Sequence, residues 1–583
     1  MLKISRAALL AATLGFAVPV LPAIAQDVPG QPAQPLPFSF EIKVPSVTAV
    51  DSSMSEDQIK DLFTANFLSH ADQLAGLNAA SITIPELTLS FTVEDAGKST
   101  VTYRDVVLTN VVNGLAETLT VASGESSSQG ETTLNKSLTA SGFDIRRLLE
   151  FTGIVKGDTS APFKPIYLSF DSEGSTQGGP LYSCAFDGSG SGAFEARPIG
   201  VTVAEVLAVI EKHKDASEPP PEAINTIVAY GVDLLRAFRG GAGTVGAVDC
   251  NVPGETPVSI KVAGATNGEF ESGIYPEIKV SGISVDAGPL GMGGLGEFVL
   301  KTIDLNPTLD ALESAAGQLN EAWFEQNWRR LIPSVKGLSL SDFTLDAINP
   351  ENPTAGRVQA KVADFDISLD KYVIGIPTDV SVSASGIEVP LPQDTMDPQV
   401  QMLLAAGLMG VNMGFDVAAA WDEVAKTIDV EKVAIAAADL GSMALSATVG
   451  NATEQLFDID PNVAMISGFG LTVKDVTINV TDDGLGAILW PLVAAEQGQT
   501  DVEAFRTQMA GYAEGLAIQL IGPTESARQL GQALGEFVTG GKGEITINIK
   551  SIDPNGIPMA MFIAAQNDPS ILAGQIEITG LAN

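Results

Sequence analysis

Apolar and polar residues alternate along most of the chain, beginning at residues 38–44, where Phe38, Phe40, Ile42 and Val44 are apolar. A period of two is typical of a β-strand with one buried side and one solvent-facing side. The alternation recurs in segments 82–93, 101–108, 165–170, 181–186, 258–262, 276–285, 337–345, 357–369, 379–389, 471–481, 544–550 and 575–579. The pattern therefore predicts antiparallel sheets along the whole chain.

Helical spacing interrupts the strands. Three capping boxes, in which Ser or Thr precedes Gln or Glu by three residues, predict helix starts at Ser55, Thr202 and Thr500. Further helices are predicted over 222–238, 308–331, 398–409 and 524–538. Strands and helices together predict an α+β fold, with repeated twisted antiparallel sheets and amphipathic helices packed on one face.

A short pattern repeats within the strand-rich segments. Residues 280–285 (VSGISV) recur as 384–389 (ASGIEV), and residues 467–469 (SGF) form a weaker third copy. Each copy has a glycine where a strand bulge would fit, which favours duplication of a strand-rich module, although chance recurrence of common strand residues stays open. The predicted divisions are a signal peptide (1–25), a linker (26–37), an N-terminal α+β domain with one disulfide (38–260), a strand-rich middle module (261–395) and a C-terminal α+β domain (396–583).

The N-terminus has the order of charges and apolar residues of a secretory signal peptide. Lys3 and Arg6 precede the apolar residues 7–18, and the small residues Ala23 and Ala25 offer a cleavage site. Cleavage predicts a periplasmic protein of a Gram-negative bacterium, or alternatively a secreted or cell-surface one. A retained anchor is the other reading of this segment. No later segment is apolar for long enough to span a bilayer, so no transmembrane anchor is expected after cleavage.

Charge and cysteine content narrow the possibilities. The 583 residues carry a formal net charge of −39, and a field of this sign repels phosphate backbones, which excludes nucleic acid as a partner. Apolar residues make up 45% of the chain, enough to form a core. In an oxidising compartment the only two cysteines, Cys184 and Cys250, predict one disulfide, with two buried thiols as the alternative.

Residues suited to catalysis or metal binding are sparse. The two histidines, His70 and His213, lie near predicted helix ends, where a structural role suffices. Residues 291–296 match a dinucleotide-binding glycine spacing but do not open a helix, which favours a glycine loop. Residues 458–462 begin like a calcium loop but lack its glycine and closing glutamate, which favours a turn. No catalytic, cofactor or metal residues are predicted, although the many carboxylates leave a hydrolase open.

Three short segments are rich in Met, Ala and Leu: 403–409, 490–493 and 559–565. Methionine side chains are flexible and suit variable apolar ligands, although core packing explains these segments equally well.

The repeated strand blocks with interspersed helices resemble large, uncharacterised envelope proteins of proteobacteria, including the AsmA-like group. The resemblance covers the overall pattern rather than one motif, and it departs from AsmA-like proteins in that no membrane anchor is expected here after cleavage. It implies envelope maintenance or lipid handling. The expected function is that of an exported non-enzymatic protein that binds an apolar envelope component, such as a lipid, or a partner protein of the envelope. The alternative is a secreted or surface-exposed structural or adhesive protein.

Overall fold

The computed structural model describes residues 38–583 except 65–70, 94–96, 129, 214–218, 350–355, 394–396, 406, 541–542, 566–568 and 573. The predicted signal peptide and linker, residues 1–37, lie outside the described residues. Strands hold 47% of the described residues and helices 28%. The predicted α+β fold, with amphipathic helices packed on one face of repeated sheets, is wrong, because antiparallel strands dominate the described residues and the helices are not packed as an α+β mix.

Two misread segments explain part of this error. The Ser, Gly, Glu and Gln composition of residues 123–130 predicts a loop, but a strand continues through Ser128, whose hydroxyl bonds that of Ser99 on the neighbouring strand at 2.8 Å. Residues 291–296 were expected to form a glycine loop, but they begin a strand. Cross-strand hydroxyl pairs and backbone bonds stabilise strands that apolar alternation does not reveal.

The described strands and helices are numbered in chain order. The strands are β1 Phe38–Lys43, β2 Thr48–Val50, β3 Ala79–Val93, β4 Gly97–Val111, β5 Leu115–Ser128, β6 Glu131–Asn135, β7 Leu138–Asp144, β8 Lys164–Tyr167, β9 Ser169–Ser172, β10 Ser175–Gly178, β11 Ser183–Phe186, β12 Ser189–Ser191, β13 Phe194–Ala196, β14 Phe238–Gly240, β15 Gly243–Val245, β16 Val248–Val252, β17 Val258–Val262, β18 Gly264–Asn267, β19 Ile274–Tyr275, β20 Ile278–Asp286, β21 Gly291–Leu300, β22 Ile303–Asp304, β23 Ser334–Val335, β24 Gly337–Ile348, β25 Arg357–Val373, β26 Ile376–Pro390, β27 Gly410–Asp422, β28 Thr427–Ala437, β29 Gly441–Gly450, β30 Thr472–Asp482, β31 Glu544–Ser551, β32 Ile557–Pro558 and β33 Ile576–Ala582. The α-helices are α1 Glu56–Leu62, α2 Ile145–Phe151, α3 Val203–Lys212, α4 Pro221–Arg236, α5 Asn306–Ser314, α6 Glu321–Asn327, α7 Pro398–Ala405, α8 Pro461–Phe469, α9 Leu485–Glu496, α10 Val502–Ile521, α11 Glu525–Val538 and α12 Met559–Ala565.

The chain forms two compact units. Unit 1 comprises Met1–Val280 with Asp304–Glu325, and unit 2 comprises Ser281–Ile303 with Gln326–Asn583. This division is coarser than the predicted one, whose boundaries at 260/261 and 395/396 stay predictions.

Unit 1 has the larger core. Strand β3 pairs with β1, β2 and β4, and β4 pairs with β5, all antiparallel. One side of these strands packs on α1 and α2 through a cluster of eighteen fully buried apolar residues that includes Ile59, Leu77, Ile82 and Leu149. The capping boxes predicted at Ser55 and Thr202 are confirmed, at the starts of α1 and α3.

Beyond β5, each strand of this sheet in unit 1 is broken into two pieces, and the breaks lie beside one another. One set of pieces pairs in the order β5, β6, β10, β11, β16 and β17, and the other in the order β5, β7, β9, β12, β15 and β18. Gly174 lies at one break with φ 113°, and a Cβ added there would meet the Phe186 carbonyl oxygen at 2.3 Å. The disulfide is confirmed on this sheet: Cys184 of β11 lies directly opposite Cys250 of β16, with their sulfur atoms 2.10 Å apart.

Unit 2 is built on a meander in which each long strand pairs with the next long strand along the chain. The pairing runs antiparallel through β21, β24, β25, β26, β27, β28, β29, β30, β31 and β33. Helix α7 lies between β26 and β27, α8 between β29 and β30, and α9 to α11 between β30 and β31. The third predicted helix start is displaced by one residue, because Asp501 rather than Thr500 caps α10 by accepting from the Ala504 amide at 3.0 Å.

The glycines of the repeated pattern have unusual backbone angles. Gly282 in β20 has φ 62° and Gly386 in β26 has φ 58°, left-handed values that favour glycine inside a strand. The third copy was misplaced: residues 467–469 belong to α8, whereas Gly142 in β7, also at φ 62°, follows the same Ala-Ser pair as Gly386.

Candidate apolar-ligand site

The residues considered for catalysis do not converge on one site. His70 lies outside the described residues, and His213 caps the C-terminus of α3 with its Nε2 3.5 Å from a carboxylate oxygen of Glu222. Asp460 caps α8 by accepting from the Asn462 amide at 2.8 Å. Across the described ranges, no group of three or more His, Cys, Asp or Glu side chains is placed to hold a metal ion.

A cleft of about 540 Å³ lies at the strand ends of unit 2 beside Lys371, Asp422 and Asp429. One of its carboxylates, Asp422, binds its own turn by accepting from the Val424 and Ala425 amides, both at 2.8 Å. A hydrogen bond from Lys371 to Asp379 raises the pKa of the lysine, so that this amine stays protonated. Asp422 and Lys371 therefore each have a local partner within or beside the cleft.

The distinctive surface of unit 2 is one side of its meander, where residues directly opposite each other on six neighbouring strands are all apolar. We define the apolar face as these eighteen positions on β25 to β30. The first row is Phe365, Ala384, Phe415, Ile435, Met443 and Val480; the second is Ile367, Val382, Val417, Val433, Leu445 and Ile478; the third is Leu369, Val380, Ala419, Val430, Ala447 and Val476.

The other side of the same strands is polar. One row carries Asp366, Ser383 and Asp416 opposite one another and continues through Ala434 and Ala444 to Asn479, and Asp416 pairs with Lys432 at 2.8 Å. Because side chains alternate between the two sides of a strand, Asp366, Asp416 and Lys432 lie on the side opposite the apolar face.

The apolar face is largely uncovered by other described residues. Of its eighteen side chains only Ala384 is fully buried, while Val417 is 37%, Val433 42%, Met443 48% and Ile435 52% exposed. Monomeric soluble proteins rarely expose contiguous apolar patches of more than a few hundred Å², and larger ones mark binding surfaces. The middle of this face is therefore the strongest candidate site in unit 2.

Next to the apolar face, on the same side of the sheet, the β31–β33 end is covered by a helix. The first row continues from Val480 onto Ile545 and Ala582, and the third from Val476 onto Ile549 and Ile578. There α11 packs through Leu530 and Ala533, and Ile545 is only 2% exposed. Helix α11 thus buries the β31–β33 end and leaves β25 to β29 open.

A small cluster closes the face at one strand end. Trp421 follows Phe415, Val417 and Ala419 along the same side of β27, and its ring lies 4.8 Å from that of Phe457. The indole nitrogen donates to the Ala452 carbonyl at 2.7 Å. Arg329 fixes the segment that carries Phe457, because its guanidinium donates to the Phe457 and Asp458 carbonyls at 2.9 and 2.6 Å.

The size of the open face suits a hydrocarbon chain. Six strands spaced about 4.8 Å apart span about 24 Å, and three rows extend about 14 Å along the strands. Each leaflet of a bilayer core is about 15 Å thick, half of the full hydrocarbon thickness. A membrane-lipid acyl chain therefore fits across three to four strands.

The three Met-, Ala- and Leu-rich segments all fall in unit 2. Residues 403–409 cover the end of α7 and the residues before β27, 490–493 lie in α9, and 559–565 form α12. Met409, Val493 and Ile563, one in each segment, are between 37% and 57% exposed, so these segments are not purely core. Sequence reasoning missed the apolar face itself. Its signal was available in the aligned alternation of β25 to β30, but alternation alone does not reveal which strands pair.

Among the described residues, none of the helices has both the length and the apolar character needed to cross a bilayer. A family model described as an uncharacterized protein matches residues 434–583, which include β29, β30 and the covering helix α11. No curated protein matches the chain, and no solved structure does.

Proposed function

We propose that this protein is an exported, non-enzymatic envelope protein that binds the acyl chains of a lipid on the apolar face of unit 2. One observation carries the proposal: three uninterrupted apolar rows cross β25 to β30, and α11 covers their continuation but not the rows themselves.

The chemistry of the face favours acyl chains over a protein partner. Its eighteen side chains are those of Val, Ile, Leu, Ala, Met and Phe, and none has a nitrogen or oxygen atom. Protein interfaces have about one hydrogen bond per 100–200 Å² and are enriched in Tyr, Trp and Arg. An acyl chain forms no hydrogen bonds, so apolar contact with this face is sufficient to bind it.

The energy available is adequate for binding. Burial contributes about 0.8 kcal/mol per methylene, so ten covered methylenes contribute on the order of 8 kcal/mol before the cost of association is subtracted. Because burial is non-directional, such a face accepts chains of different length and saturation.

The proposed location is the periplasm, supported by the signal-like N-terminus and by a disulfide that suits an oxidising compartment. Protease added to intact cells should leave a periplasmic protein whole. Degradation under those conditions would instead place it on the surface.

A fluorescent fatty acid tests the binding proposal in the purified full chain. Ile435→Glu places a charge in the middle of the face and should weaken binding at least about tenfold, because the chain would have to desolvate the carboxylate. Ala436→Glu is the matched control, since Ala436 is exposed on the polar side of the same strand. Equal binding by both variants, or no binding by the unaltered protein, would refute the proposal.

A further inference from the structure

Methionine is concentrated in unit 2. Every methionine of the chain except Met1 and Met54 belongs to this unit. A thioether is apolar in its reduced form, but oxidation converts it to a sulfoxide, which is polar and has an oxygen that accepts hydrogen bonds. A methionine that is exposed and belongs to an apolar surface can therefore change the character of that surface.

Met443 combines these two properties. It lies in the first row of the apolar face, directly opposite Ile435 on β28 and Val480 on β30. The residue is 48% exposed, so an oxidant dissolved in water reaches it. The side chains at all eighteen positions of the face lack nitrogen and oxygen atoms, so none of them could donate a hydrogen bond to a sulfoxide oxygen.

Three other methionines provide comparisons. Met413 lies on the same side of β27 as Phe415, one position beyond the first row, and is 36% exposed. Met465 lies on α8, outside the apolar face, and is 55% exposed. Met54 is partly buried against the core of unit 1. Accessibility alone therefore predicts similar oxidation of Met443 and Met465 and slower oxidation of Met54.

We propose that Met443 is an oxidation site for hydrogen peroxide and that its sulfoxide weakens the binding of acyl chains to the apolar face. The sulfur attacks one oxygen of the peroxide, the O–O bond breaks and an S–O bond forms, so that sulfur loses two electrons and the peroxide gains them. The second oxygen leaves as hydroxide and takes the proton of the transferred hydroxyl group, which gives the sulfoxide and water. The effect on acyl chains rests on the proposed function, whereas the oxidation itself does not.

Oxidation introduces an acceptor where the face has no donor. An acyl chain lying over the Met443 sulfoxide would remove its oxygen from water, and burial of a polar group without a hydrogen bond is unfavourable. The affinity for the chain should therefore fall about tenfold. Conversely, a bound acyl chain covers the sulfur of Met443, so it should slow the oxidation of this residue and leave that of Met465 unchanged.

Peroxide treatment of the purified full chain, followed by peptide mass spectrometry, maps the oxidation. Met443 should gain oxygen about as fast as Met465 and faster than Met54, and palmitate should slow the reaction at Met443 but not at Met465.

Binding of a fluorescent fatty acid, measured before and after peroxide, tests the effect of the sulfoxide. The unaltered protein, Met413→Leu and Met465→Leu should each lose about tenfold in affinity on oxidation. Met443→Leu, compared with its own affinity before peroxide, should lose less than about twofold, because leucine fills a similar volume and is not oxidised.

Oxidation of Met443 no faster than that of Met54, an unchanged affinity of the oxidised protein, or an equal loss in Met443→Leu would overturn the proposal. Protection by Met413→Leu in place of Met443→Leu would also overturn it, because the effect would then arise at the edge of the face. The peptide masses separate this inference from the proposed function, since they require no bound lipid. If the unaltered protein binds no fatty acid, the proposed function fails together with the effect on binding, and the oxidation map still decides whether Met443 is a modification site.

Discussion

At the scale of single residues, Trp421 shows how the apolar face is closed. Trp421 lies on the same side of β27 as the apolar face and is fully buried, at 9% exposure. Its indole packs on the Phe457 ring and donates a hydrogen bond to the Ala452 carbonyl. Packing and the hydrogen bond together fix the segment after β29 across the strand ends.

Trp421→Ala should lower the free energy of unfolding of unit 2 by about 3–5 kcal/mol, because it leaves a cavity. Trp421→Phe should cost less, about 1–3 kcal/mol, since it mainly leaves the Ala452 carbonyl unpaired. Urea denaturation measures both. A loss no larger for alanine than for phenylalanine would contradict the packing role.

The ion pairs of unit 2 predict a small pH effect. A hydrogen bond from Lys336 and one from the Lys371 amide hold the pKa of Asp370 below its usual value. A carboxyl with a lowered folded-state pKa contributes stability above its unfolded pKa and loses it as the pH falls through the folded one.

Lys336→Met should therefore reduce stability near neutral pH by less than about 1 kcal/mol, because both groups are largely exposed. The difference from the unaltered protein should vanish in acid below the lowered pKa of Asp370. Denaturant titrations at both pH values measure it, and a difference that persists in acid would assign the effect to packing of the lysine stem instead.

At the scale of elements, α11 determines which part of the sheet is covered. The second apolar row ends at Gly580 of β33, where an added Cβ would lie 3.1 Å from the Leu530 Cα and 2.9 Å from its Cδ1. The helix backbone thus approaches β33 so closely that only glycine fits without movement.

Gly580→Val should destabilise unit 2 by about 2–3 kcal/mol by pushing α11 away from the strand. Thr579→Val is the matched control on the exposed side of β33 and should change stability by less than about 0.5 kcal/mol. Thermal unfolding compares the two. Similar midpoints would show that α11 does not need this close approach.

The disulfide stabilises the pairing of β11 with β16. Its cysteines are 66 residues apart, so Cys184→Ser with Cys250→Ser should lower the stability of unit 1 by about 4 kcal/mol. Reductant should have the same effect on the unaltered protein and none on the double variant. A reductant effect on both proteins would point to a cause other than this bond.

Local signals predicted the elements better than their arrangement. The cysteine pair and the caps at Ser55 and Thr202 were predictable because each depends on a few neighbouring residues or on a count. The helix predicted over 308–331 failed, since α5 and α6 are separate helices with Gly317, at φ 79°, between them. Glycine in a left-handed conformation ends a helix that apolar spacing would continue.

At the scale of the whole molecule, the sequence indicates which strands have an apolar side but not whether that side is covered. Unit 1 and the β31–β33 end of unit 2 show the same alternation as β25 to β30, yet helices bury the first two and leave the third open. Whether a helix covers an apolar side depends on tertiary contacts between distant segments, and the alternation of apolar and polar residues does not encode these contacts.

The central claim is that the open face holds acyl chains. The most direct measurement is mass spectrometry of the protein purified from its native compartment without detergent, before and after organic extraction. We expect stoichiometric lipid in the unaltered protein and in Ala436→Glu, and its absence in Ile435→Glu. A ligand-free protein, or the same lipid content in all three proteins, would contradict the claim.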